Sequence, residues 1–288
     1  MWLWFKPHCL AAVAVFALLG LNGCSYVIGS ATQDFSDRLK QTLLDHNDPD
    51  TVAEAIPAYL LLMEASLAGD REDENALFST ANLYGSYLSL LPEQSPRKPR
   101  LSQKALDLAE RGACVHSSEL CGLRGKSIAE LHNIVGACDR DDIDGLYSVA
   151  TAWAAWIQAH NSDWNAVAQL VQVKSILQRI LELEPHYKQG APQLYMAVLE
   201  SLVPPALGGQ PELAKQYFEQ AISLADGNLM ASVLYAKYYA RMMFDRDLHD
   251  KLLNSVLVSP VERPGLTLIN TLAQQQARLL LDSGKGYF

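Results

Sequence analysis

The stretch Gly208-Gly209-Gln210-Pro211-Glu212-Leu213-Ala214-Lys215-Gln216-Tyr217-Phe218-Glu219-Gln220-Ala221-Ile222-Ser223-Leu224 limits the possible folds of this chain more than any other. Its Ala-x3-Phe-x2-Ala-Ile-x-Leu spacing sets two small residues, Ala214 and Ala221, on the helix face that carries Phe218. Small residues let a neighbouring helix approach closely, and the phenyl ring fills the space between helix pairs. The register recurs. Leu248, Leu252, Ser255, Val256 and Pro260 stand at or near the equivalent places, and Ala214 to Leu248 is 34 residues. Upstream, Val173, Leu177, Ile180, Leu181, Leu183 and Pro185 fit again at 41 residues, one repeat plus seven. The surplus falls in Leu202-Val203-Pro204-Pro205-Ala206-Leu207-Gly208-Gly209, which cannot be regular helix.

A period of about 34 residues is that of tetratricopeptide repeats. The second half therefore reads as stacked helical hairpins with a Pro-Pro-Gly-Gly interruption, an architecture that usually binds rather than transforms. Apolar periodicity near 3.6 runs through the rest, with no alternating strand pattern. Helices are expected at about residues 31–46, 50–68, 72–90, 101–117, 126–137, 142–160, 163–183, 190–203, 211–225, 228–243, 247–257 and 264–283. Asn47-Asp48-Pro49-Asp50, Gly69-Asp70, Asn161-Ser162-Asp163 and Asp226-Gly227-Asn228 supply the caps and turns between them. The expected fold is all-α, a tetratricopeptide-like helical-hairpin solenoid behind a cleaved leader.

That leader is residues 1–23. Lys6 and the amino terminus supply positive charge, and Leu10 to Leu21 is an unbroken run of apolar or small residues, the build of a signal peptide. Leu21-Asn22-Gly23-Cys24 resembles a bacterial lipobox, with cleavage before Cys24 and fatty acylation of that cysteine. Ser25 in the next place resembles the default for outer-membrane sorting, with the body facing the periplasm. Residues 24–30 are then an anchor linker and 24–288 the mature chain. No later segment is expected to cross a membrane; Leu146 to Ala159 reads as a buried helix.

A hydrophobic share of 49% with 19% charged residues is that of a well-buried protein. The net charge of −9 argues against nucleic acid, which needs a concentrated basic face. The one basic cluster, Arg97-Lys98-Pro99-Arg100, reads as a solvated turn. In an oxidising periplasm two of Cys114, Cys121 and Cys138 should pair. Cys114 and Cys121 are the preferred disulfide, leaving Cys138 free. His116 and His132 nearby match no zinc spacing. Asp139, Asp141, Asp142 and Asp144 lack the glycine and glutamate of a calcium loop. Gly125-Lys126-Ser127 lacks the first glycine of a phosphate loop, which would fall at Leu120, and no Gly-x-Ser-x-Gly elbow exists. No catalytic residue, metal site or cofactor is expected, and the chain reads as a non-enzyme.

The aromatic residues have two readings. Trp153, Trp156, Tyr195, Tyr235, Tyr238 and Tyr239 fall on helices that should stack side by side. They either fill the core or line an apolar groove for an organic ligand, with Pro204, Pro205, Gly208 and Gly209 propping its wall open.

Trp153-Ala154-Ala155-Trp156-Ile157, Leu181-Glu182-Leu183-Glu184-Pro185-His186-Tyr187-x2-Gly190 and Pro204-Pro205-x2-Gly208-Gly209-x-Pro211-Glu212-x-Ala214 occur in sequence. Asn228-Leu229, Tyr235-Ala236-Lys237-Tyr238-Tyr239-Ala240-Arg241, Leu252-Leu253-x2-Val256-Leu257 and Leu268-x-Asn270-x2-Ala273 follow. Together they resemble the T component of tripartite ATP-independent periplasmic (TRAP) transporters, the TatT lipoprotein family, most characteristically over residues 140–288. The resemblance implies an all-helical body on a lipid anchor, with an internal pocket for a hydrophobic or carboxylate-bearing ligand. It further implies association, as oligomers in some relatives, with the extracytoplasmic substrate-binding P component. The alternative is a tetratricopeptide lipoprotein scaffold for outer-membrane or cell-wall assembly.

Overall fold

Short polar side chains set the helix starts. In the computed structural model, which describes residues 38–202 and 209–288, Asp48 accepts from the Asp50 amide at 3.1 Å and Asp73 from Ala76 at 3.0 Å. Ser127 and Glu130 cap reciprocally, and Asp163 and Asp245 accept from the amides of Asn165 and Leu248, each at 2.9 Å. Each bond satisfies a backbone donor that the first turn of a helix leaves free. The leader, Cys24, Pro204, Pro205 and Gly208 lie outside the described residues.

The described residues form helices and no strand. Residues 38–44 make α1, followed by α2 (Pro49–Gly69), α3 (Glu74–Leu90), α4 (Lys98–His116), α5 (Ile128–Ala137) and α6 (Ile143–Ala159). Then come α7 (Trp164–Val167), α8 (Leu170–Leu183), α9 (Ala191–Glu200), α10 (Pro211–Leu224), α11 (Met230–Leu234), α12 (Arg246–Val258) and α13 (Thr267–Gly284). Neighbours in space follow neighbours in sequence: α2 on α3, α3 on α4, α4 on α6, α6 on α8, and so on to α12 on α13, with α5 laid against α8. The row bends until its ends meet. α13 touches α2, Leu268 packs against the first core, and the Gly265 amide donates to Asp45 Oδ1 at 2.5 Å.

The core is one long cluster from Val52 to Leu199, continued by a cluster of Ala197, Ala214, Phe218, Tyr235 and Tyr239 and another on α12 and α13. Ala214, Ala221 and Phe218, the residues of the repeat, are wholly buried. Close approach is enforced at two glycine sites. The Phe78 ring lies over Gly112 and Gly145, where added Cβ atoms would stand 2.6 and 3.2 Å from it. Gly190, at φ +86°, lets α9 begin against α10.

Four local expectations are corrected. Residues 163–183 are not one helix. Gln169 at the junction has its carboxamide bound to Trp153 Nε1 (2.8 Å) and the Asn165 carbonyl (3.1 Å), and the chain breaks into α7 and α8 there. α4 begins at Lys98 rather than 101, because Pro99 sits in the first turn, where no amide hydrogen is required. The helix expected at 228–243 changes at Tyr235–Ala240 into a π-helical segment. Finally, among the described residues one helix, α2, is long and apolar enough to cross a membrane, with an 18-residue window of mean hydropathy 1.3. Val52, Ile56, Leu60 and Leu67 bury one of its faces, and Leu61 and Leu62 stay exposed.

Candidate functional site

The candidate residues divide by burial. Trp153 has no exposed surface, and its indole nitrogen is satisfied by Gln169, so the structure gives it a packing role. Tyr235 is stacked on Phe218, ring centres 4.7 Å apart, and tilted against Tyr239 at 5.2 Å; all three are buried in one cluster. Burial raises the phenol pKa of Tyr235 and Tyr239, with nearby Glu212 and Glu219 adding to it.

Trp156, Tyr195, Tyr238 and Gly209 are half-buried and can present surface. Trp156 lies between the Arg124 guanidinium, 4.4 Å from a ring centre, and the stacked His160 ring at 4.5 Å. Its buried indole N–H has no acceptor among the described residues. Tyr195 meets Tyr147 edge-on at 6.2 Å. Burial pushes both phenols upward, and no hydrogen bond ties either hydroxyl to another described residue. Tyr238 lies under the Lys237 ammonium at 5.2 Å.

The structure also assembles groups that spacing could not reveal. Lys188 sits over the rings of both Tyr147 and Tyr187 at 4.7 Å and donates to Asp144 at 3.2 Å. The Tyr187 hydroxyl donates to the same carboxylate, and these bonds, Tyr187 first, hold Asp144 below the usual carboxylate range. Lys188 and Gln189 adopt left-handed backbone, φ 43° and 54°, ahead of Gly190. Non-glycine residues hold that conformation only where surrounding contacts impose it. The one legible hint was His186-Tyr187-x2-Gly190.

His116 bridges three helices, with Nδ1 3.0 Å from Glu74 Oε1 and Nε2 3.1 Å from Asp142 Oδ1. The Cys114–Cys121 disulfide closes the loop that carries it. Cys138 is free and buried, and burial pushes its thiol up to about 11, with Asp142 the next cause. Two recesses lie elsewhere. One of about 690 Å³ is lined by α1 and the turn after it, Arg38 to Asn47. One of about 340 Å³ lies between Asp45 and Thr267.

Among the described residues no three His, Cys, Asp or Glu side chains are grouped to hold a metal ion. Serially stacked helices, with half-exposed aromatic rings and paired charges among the described residues, define an all-helical protein. The family model described as TRAP transporter T-component matches residues 45–288, and the chain belongs to that family. No curated protein matches it. Membership makes the chain an accessory of TRAP transport, associated with the cell envelope.

Proposed function

We propose that this protein is a non-enzymatic, lipid-anchored subunit that holds the soluble substrate-binding P component of a TRAP system at the periplasmic face of the envelope. The observation that carries the reading is the family match over residues 45–288, nearly the whole described body. The anchor is Cys24, with the outer membrane as its site. The repeat spacing supports a tetratricopeptide-like arrangement of the hairpins. A helical row of this kind presents an extended face whose shape follows from the stacking of its units.

An organic ligand is the second element of the proposal. Tyr195 and Tyr147 combine apolar rings with hydroxyls that lack a partner among the described residues, and Trp156 and Tyr238 add half-exposed aromatic surface. Ligand sites pair such apolar walls with a few polar groups.

Cross-linking in intact envelopes, followed by affinity purification and organic extraction of the same sample, tests both elements. The reading predicts a binding protein of the same transporter and an extractable organic molecule that Tyr195→Ala reduces. Recovery of cell-wall or outer-membrane assembly proteins instead would establish the scaffold alternative.

A further inference from the structure

The α6 face that carries Tyr147 also carries a carboxylate. Asp144 precedes Tyr147 by three positions, and helical spacing sets the two side by side. The turn between α8 and α9 adds Tyr187, whose ring meets that of Tyr147 at 68° with centres 5.3 Å apart. Two rings at that angle form an open corner. Tyr187 is buried and its hydroxyl donates to Asp144, so ring and carboxylate are fixed against each other. Glu184 also bears on the corner. Burial first, then Asp144 and Glu184, push the Tyr187 phenol up.

A carboxylate beside the faces of two tyrosines is the chemistry that holds an organic ammonium, because the face of an aromatic ring is negative. The corner is filled. The Lys188 ammonium lies 4.7 Å from both ring centres and 3.2 Å from Asp144 Oδ1. It arrives on a strained turn. Lys188 and Gln189 have φ 43° and 54°, and Gly190 follows at 86°, three left-handed residues in a row of which only the last is glycine. Buried Gln193 donates to the Pro185 carbonyl and pins the start of that turn. Strain of this kind gathers at ligand clamps and switch regions. The ammonium is nevertheless held loosely. The side chains of Lys188 and Asp144 are 46% and 78% exposed, so water screens their pairing and reaches the corner. Only one side chain must swing out to vacate it.

We infer that Tyr147, Tyr187 and Asp144 form a binding site for the ammonium group of an organic cation, and that Lys188 occupies it as an internal stand-in until such a ligand displaces it. Tyr195, edge-on to Tyr147 at 6.2 Å, continues the aromatic surface for the ligand's apolar body. The inference deepens the organic-ligand reading, with which it shares Tyr147, by giving that ligand a positive charge.

Isothermal titration of the full mature protein with choline chloride and with n-butylammonium chloride, ionic strength held with sodium chloride, tests the site. Lys188→Gly vacates the corner and suits the left-handed backbone, so the fold is kept. This variant should bind at least one of the two cations saturably and at least tenfold more tightly than the wild-type protein, a gain that a misfolded variant does not imitate. Lys251→Met, which removes one exposed positive charge from α12, should not tighten binding. Adding Asp144→Asn or Tyr147→Leu to Lys188→Gly should weaken it at least tenfold. Binding of either cation supports the site, and the cation that binds better assigns it to quaternary or primary ammonium. Absence of saturable heat with both cations in Lys188→Gly, reproduction of the heat by sodium chloride, or equal affinity after Asp144→Asn overturns the inference. The two readings fail separately: the titration uses added cations and no extracted molecule, and the extraction from envelopes uses no added cation.

Discussion

Gly190→Ala is the sharpest structural test. The residue has φ +86°, a left-handed conformation that costs an L side chain about 1–2 kcal/mol. A Cβ there would stand 2.9 Å from Leu224 Cβ and 3.3 Å from Ala221 Cα, so α10 must move away from the start of α9. Overpacking of this kind costs about 1–3 kcal/mol. The sum is about 2–5 kcal/mol, and at about 2–4 °C per kcal/mol for a chain of this size the melting temperature should fall by roughly 4–20 °C. Gly190→Asn tolerates the left-handed backbone and should recover about 1 kcal/mol, leaving the contact. Adding Leu224→Ala should rescue little, because the offending Cβ remains. Gly85→Ala and Gly136→Ala are the controls; nothing lies within 4 Å of either new Cβ, and helix propensity should stabilise by up to about 1 kcal/mol. Urea unfolding followed by circular dichroism measures all five. A Gly190→Ala protein within about 0.5 kcal/mol of wild type would refute the close approach of α9 and α10.

Glu110→Gln should stabilise the protein at neutral pH. Burial, the main influence, raises the folded pKa of Glu110, and nearby Asp107 adds to it while Arg124 opposes. A raised folded pKa means stability present below the unfolded value and lost as pH rises through the folded one. The advantage of glutamine should therefore fade below about pH 4, and an equal effect at pH 3 and pH 7 contradicts the assignment. Reduction of Cys114–Cys121, which are seven apart in sequence, should cost about 2–3 kcal/mol and lower the urea midpoint. An unchanged midpoint in reductant would show that the loop around His116 is held without it. Cys24→Ala should move the protein from the membrane pellet to the soluble periplasmic fraction, and full membrane retention would refute the lipid anchor.

The parts legible in the sequence were local. Asp48 and Asp163 cap helices because each carboxylate reaches an amide two residues ahead. Ala214, Phe218 and Ala221 are buried because helical spacing alone fixes their common face. What sequence could not show depends on groups far apart in the chain. His116 finds its carboxylates 42 and 26 residues away, and Lys237 meets Glu93 from the other half of the molecule. The junction between α7 and α8 falls at Gln169, whose side chain accepts from Trp153, 16 residues earlier in the chain. The aromatic residues were ambiguous for the same reason. Spacing placed Trp153 and Trp156 on one helix without deciding that the first would be sealed in the core and the second half-exposed.

The central claim is that this chain works through a soluble transport partner. It is tested by titration of the purified P component of the same transporter into the purified full-length protein, held in lipid nanodiscs through its own anchor. A saturable isotherm is expected, with a dissociation constant in the micromolar range or tighter, about −8 kcal/mol. No binding at about 100 μM of either protein would contradict it.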